Sequence, residues 1–179
     1  MKRILSFFII LALLFCISGC SNDKDDAQKY AKMAYEYLQE KANLKLNFDN
    51  VNIYATSHAE KDYSYYSHFD NKDITEYKDI VGVVLFDAID NDVSDCVVFI
   101  SKKAASKYED GNKDWGLFKI YMSSTKQQVD KYIDSSYSGD YAEAVKAQMW
   151  KDTEAKNKAY IPTEKELKNW VKISPESLK

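Results

Sequence analysis

The sequence predicts an α+β fold, in which an N-terminal helix packs on a four-stranded antiparallel meander and two or three C-terminal helices follow. Three observations predict it. A stripe of apolar residues at helical spacing comes first, four short alternating or β-branched runs come next, and Thr-x-x-Gln and Thr-x-x-Glu capping signals come only after the last run. Strands grouped together, instead of alternating with helices, argue for antiparallel pairing over βαβ units.

The first element rests on Tyr30, Ala31, Ala34, Tyr35, Leu38 and Ala42, which recur at three- and four-residue steps between Ala27 and Ala42. Asp25 or Asp26 stands where a side chain can accept from the first free N–H groups of such a helix. Val51, Ile53 and Ala55 then alternate with Asn52, Tyr54 and Thr56, the period of a strand with one wet face, over about residues 51–58. Ile80–Phe86 and Cys96–Ile100 are β-branched runs joined across Asp90-Asn91-Asp92, a turn-favouring core, and read as a central hairpin. Trp115–Met122 supplies a fourth strand after the polar stretch Lys107–Asp114, with Leu117 or Phe118 inward according to register.

Helices close the chain. Thr125 with Gln128 opens one bearing Val129, Tyr132, Ile133 and Tyr137, and Asp140 with Glu143 repeats the signal before Tyr141, Val145 and Met149, with a break near Gly139. Thr163 with Glu166 opens a last short helix carrying Leu167, Trp170 and Val171, which Ile173-Ser174-Pro175 ends.

Ahead of all this, Lys2 and Arg3 precede a run from Ile4 to Ile17 that is apolar except for Ser6. Positive charge followed by an apolar stretch is the pattern of a secretory signal, and at roughly 15 residues it falls short of the about 20 a spanning helix needs. Ile17-Ser18-Gly19-Cys20 follows at once. It resembles the lipobox of bacterial lipoproteins: an aliphatic residue, two small ones that let extended backbone enter a signal peptidase, and the cysteine whose thiol takes the lipid. The resemblance covers residues 1–20 only. It implies that residues 1–19 are a cleaved signal peptide, that residues 20–26 are the lipidated Cys20 and a short polar tether, and that residues 27–179 are a single globular domain. That domain is expected outside the cytoplasm, held at a cell membrane by acyl chains. A helix followed by an antiparallel meander in turn resembles the cystatin-like and NTF2-like α+β arrangement of many small lipoproteins, an architectural likeness that does not fix function.

Composition narrows the classes. Of three cysteines, Cys16 would leave with the signal and Cys20 carry lipid, so Cys96 is alone and no intrachain disulfide is expected. A net charge of −3 with both signs interspersed argues against a nucleic-acid partner, which demands a concentrated basic surface.

No catalytic, metal or cofactor set is read from the chain. His58 and His68 stand near Asp62, Asp70 and Asp73, but in a loop-like setting without helical ligand spacing. Asp90–Asp95 begins like a calcium loop yet lacks its glycine and closing glutamate, so a hairpin turn is the better reading. Cys96 heads the run Val97-Val98-Phe99-Ile100, where a thiol behaves as a small buried hydrophobe and not as a nucleophile. Trp115, Trp150 and Trp170 sit in periodic elements and read as core. Glycine-rich phosphate loops, CxxC pairs, GxSxG elbows and HExxH helices are absent from the sequence.

Tyr63, Tyr65, Tyr66 and Phe69 crowd the segment between the first two strands and are the candidate partner-binding residues, since aromatic side chains cover contact area at low entropic cost. The same alternation fits a further strand with Tyr63, Tyr65 and Ser67 on one face. The expected function is therefore a membrane-anchored, non-catalytic module that binds an envelope or secreted protein through the 59–78 segment and an open sheet face. Two other readings are a structural part of an envelope or transfer apparatus, and a protein with a small-molecule pocket between sheet and helix.

Overall fold

The computed structural model describes residues 23–41, 51–59, 61–87 and 95–179. The signal and lipobox, Ile17 to Cys20 included, and the Asp90–Asp92 turn lie outside the described residues. Within them the chain is α+β: an N-terminal helix, an antiparallel sheet of six strands and C-terminal helices.

Residues 23–40 are helical (α1), so Asp25 and Asp26 belong to the helix and do not cap it, and the tether expected as far as residue 26 is shorter. Carboxylates near the N-terminal end of a helix suit its dipole, which is why this stretch extends the helix. Ala27, Ala31, Ala34 and Leu38 are fully buried, and the small side chains let α1 approach the sheet closely.

The strands are β1 (Asn52–Thr56), β2 (Lys61–Ser67), β3 (Lys72–Asp87), β4 (Asp95–Ser101), β5 (Phe118–Met122) and β6 (Val171–Ile173). Their order is β5-β4-β3-β1-β6, with β2 also paired to β3. The four expected strands are present in the expected meander order. Two things were not foreseen, and one open choice is settled. The segment from residue 61 takes the strand alternative, as β2 and the first half of a 16-residue β3. Val171 lies on β6 against β1 instead of in the last helix, with Ile53 opposite Ile173. Ser101 caps a helix α2 (Lys102–Glu109) by accepting from the N–H of Ala104, where a polar connection was read.

The sheet has no open central face. Val84, Phe86, Cys96, Val98 and Ile100 pack toward α1 and α2, while Val83, Leu85, Val97 and Phe99 pack on the other side. That second side is covered by the end of α4 (Gly139–Tyr160), through Ala159 and Tyr160, and by Ile161, Leu167 and Trp170 after it; α4 follows α3 (Lys126–Asp134) and precedes the one-turn α5 (Glu164–Leu167). Strands buried on both faces read as continuous apolar runs, which is what Val83–Phe86 and Val97–Ile100 are.

Both threonine signals form complete capping boxes, Thr125 with Gln128 and Thr163 with Glu166. The Asp140–Glu143 signal does not: α4 starts one residue earlier, at Gly139 with φ +69°, a conformation glycine adopts without penalty. Phe118 is the inward residue of the fourth expected strand, and Trp115 is buried beside it.

One contact is tight enough to test. Tyr30 of α1 lies flat on Gly82 of β3, and a Cβ at residue 82 would sit 2.6 Å from the ring. Gly82→Ala must push the ring away, with an expected loss of about 1–3 kcal/mol in urea unfolding at unchanged m-value. Unchanged stability would show that α1 does not seat on β3 in this way.

Candidate functional site

The most distinctive feature is a two-stranded arm. β1 and β2 follow each other along one flank of β3, Thr56 opposite Val83 and then Lys61 opposite Ile80. On its other flank β3 meets β4 only from Ile80 onward, where Ser101 lies opposite. Residues 72–79 therefore have β2 on one side and, among the described residues, no strand on the other.

Local chemistry shapes the arm at both ends. At its base Asp79 takes φ +54°, and its N–H donates across the strands to Asp62 Oδ1 at 2.9 Å, so the left-handed backbone keeps its donor satisfied. At its tip Asn71 takes φ +52°, and the Tyr66 hydroxyl donates to its side-chain oxygen. The tip is also tied to α4: the His68 N–H donates to Asp152 Oδ1, and Ser67 Oγ lies 3.3 Å from Asp152 Oδ2.

The four aromatic candidates divide. Tyr63 is buried and Tyr65 half-buried, both on the face under α4, where they join Tyr77, Phe99, Tyr121 and Tyr160. Ring centroids are 4.7 Å apart for Tyr63 and Phe99, 4.5 Å for Tyr77 and Phe99, and 5.0 Å for Tyr121 and Tyr160. Tyr63 and Tyr65 are thus packing residues, on one face as the strand reading had them but beneath a helix and not at the sheet surface. Tyr66 and Phe69 are the exposed pair, 41 % and 57 %, and both stand at the tip.

Two hydroxyls of this aromatic layer have short hydrogen bonds. Tyr160 donates to Glu76 Oε2 at 2.7 Å, and Tyr121 donates to Asn157 Oδ1 at 2.6 Å. Burial holds the hydroxyls of Tyr63, Tyr77, Tyr121 and Tyr160 well above the usual phenol range, so they stay protonated. Cys96 is fully buried, and burial with Asp95 beside it pushes its thiol up to about 12, which makes it a packing group and not a nucleophile. The two histidines are kept apart by the length of β2, roughly 3.3 Å per residue. His58 Nε2 pairs with Asp23 at 2.8 Å at the arm's base, and His68 lies against Tyr66 at its tip.

Beside the unpartnered edge of β3 lies an open groove of about 820 Å³. Glu76 to Ile80 form one wall, and α2 with the start of β5 forms the other. Five lysines line it: Lys78, Lys102, Lys103, Lys107 and Lys119. Lys107 is bonded to Asp114 at 3.0 Å. Sequence reading did not find this site, because the lysines come from three separate stretches. The adjacent Lys102-Lys103 pair, in the first turn of a helix without an acidic residue there, was the one available signal. Cations at that end oppose the helix dipole and cost stability unless something anionic offsets them.

At the far end of the sheet, Asp95 lies opposite Asp87 across β3 and β4. Burial first, then the charge of Asp87 and a hydrogen bond to it, raise the Asp95 carboxyl from 3.8 to about 6. A carboxyl raised in the folded state favours folding while protonated, and that contribution is lost as pH rises through about 6. Asp95→Asn cannot ionise and still offers Asp87 a donor. It is expected to melt higher than the parent at about pH 7.5 and to lose that advantage at about pH 4. An equal difference at both pH values would show that Asp95 is not ionising in this range.

Comparison with protein-family models, with curated proteins and with solved structures finds no match to this chain.

Proposed function

We propose that this chain is an exported lipoprotein, cut before Cys20, acylated there and held at the outer side of a cell membrane, whose domain is a non-catalytic binding module for an envelope or secreted protein. The observation that carries the reading is the arm formed by residues 61–80. Its base is fixed by Tyr63, Tyr65 and Tyr77 under α4, while Tyr66 and Phe69 remain exposed at a tip tied down by Asp152. Aromatic residues held rigid before contact make efficient anchors, because little side-chain entropy is lost on binding.

The open sheet face no longer belongs to the reading, since α4 covers it. For the finer fold, we read α1 with β1, β3, β4 and β5 as the cystatin-like or NTF2-like arrangement. What supports this is their order and the packing of α1 on one face; α4 on the opposite face is an addition to that pattern. For the anchor, support comes from the Ile17-Ser18-Gly19-Cys20 pattern. No helix among the described residues is long and apolar enough to cross a membrane.

Two experiments test the proposal. Cys20→Ala should abolish incorporation of labelled fatty acid and leave the precursor uncut, and unchanged labelling would overturn the anchor. The full chain in detergent, immobilised and exposed to envelope and secreted fractions, should retain one stoichiometric protein that is lost with Tyr66→Ala and Phe69→Ala. Several partners indifferent to both substitutions would replace the module with a structural scaffold.

A further inference from the structure

The groove beside β3 joins two properties rarely found together by accident. One wall is a strand edge: over residues 72–79, roughly 26 Å of extended chain, no backbone on that flank is bonded to another strand among the described residues, and the groove reaches Glu76 to Ile80 of it. Its walls are cationic. Among the described residues Lys78, Lys102, Lys103 and Lys119 carry no ion pair, and all four are exposed. The acidic side chains lining it offset this only in part. Glu76 turns to the α4 face, where it accepts from Tyr160 and lies 3.9 Å from Lys156, which leaves Asp79 at the bend. In a chain of net charge −3 this is a local reversal of sign.

A lysine on an edge strand is a common guard against unwanted strand pairing. Lys78 fits that role. It does not account for Lys102 and Lys103 on α2, which line the opposite wall and lie on no strand; Lys107 is paired with Asp114, and Lys119 stands on β5, itself an edge strand of the sheet. A phosphate or a lipid headgroup would neutralise the charge but leave the edge N–H and C=O groups unmatched. An extended peptide bearing carboxylates matches both, adding a strand through its backbone and meeting the lysines with its side chains.

We infer that the free edge of β3 and the lysine-lined groove beside it are the docking site for an extended acidic segment of the partner protein. The inference rests on the binding-module reading and names the chemistry of what is bound. Strand addition supplies main-chain hydrogen bonds, and the lysines select for acidic sequences and speed encounter in a salt-dependent way.

The probe is a fluorescein-labelled ten-residue peptide alternating Glu with Val, titrated by anisotropy against the full chain in detergent. Binding should weaken about tenfold or more on raising salt, and again with Lys78→Glu, Lys102→Glu and Lys103→Glu together. The triple variant should instead bind the Lys/Val counterpart, which shows that it is folded and that charge alone was exchanged. The Glu/Val peptide N-methylated on alternate residues keeps its charge but cannot donate along one edge, and in one of the two phases it should not bind. Equal binding of both N-methylated forms would overturn strand addition. Anionic phosphatidylglycerol vesicles bound by a chain that ignores the peptide would assign the lysines to a membrane and overturn the inference. If the peptide fails while tip-dependent capture of a partner persists, the groove inference falls and the binding module stands; if both fail, both fall.

Discussion

The second half of β3 is the constraint around which the other elements are placed. From Val83 to Phe86 it is covered on both faces and flanked on both edges, by β1 and by β4. Such a strand must be apolar at every position, and each buried Val, Leu or Phe contributes roughly 1.5–3 kcal/mol of transfer free energy. Its backbone polar groups are met by its two neighbours, so the strand leaves no unsatisfied edge where it is driest. Beyond Ile80 the second neighbour ends, and the same strand runs on as the outer half of an arm. Core and arm are one element in two environments, and Asp79, at φ +54°, marks the change.

The two faces of the sheet are built from different materials. The α1 face combines small side chains of the helix, Ala27, Ala31 and Ala34, which allow close approach, with Phe86, Trp115 and Phe118, and Tyr30 is seated on Gly82. Polar ties bind its rim: Tyr108 donates to Glu36 at 2.8 Å, Trp115 Nε1 donates to Glu40 at 3.0 Å, and Lys113 pairs with Glu36 at 2.8 Å. The α4 face gathers tyrosines, and the hydroxyls of Tyr121 and Tyr160 find partners in Asn157 and Glu76. Tyr54, Tyr63, Tyr65, Tyr77, Tyr121 and Tyr160 of the 14 tyrosines belong to this layer.

Charge is distributed to a similar logic. Ion pairs join α1 to α2 and the following turn, where Lys29 meets Glu109 and Lys113 meets Glu40. Pairs of this exposure add little stability each, and they consume the carboxylates of that side. The lysines of the α2 N-terminus and of β5 have no such neighbours among the described residues, so positive potential gathers in the groove. Potential concentrated in a concave site acts on ligands more strongly than the same charges spread over a convex surface.

What the sequence by itself determined is what depends on near neighbours. The helical stripe of α1 as far as Leu38, the apolar runs of the β3–β4 hairpin and both threonine capping boxes need only residues within a few positions of each other, and these are in place, while Ala42 lies outside the described residues and the choice of Phe118 over Leu117 waited on strand register. Tertiary structure decided the rest, because partners far apart in the chain settle it. Tyr63 and Tyr66 are alike in sequence and differ only in strand register, which puts one beneath α4 and the other in solvent. Val171 is helical by pattern and became a strand because β1 offered an edge. The groove joins Lys78 to Lys119 across 41 positions, a juxtaposition that no local period encodes and that only the pairing of β3, β4 and β5 creates.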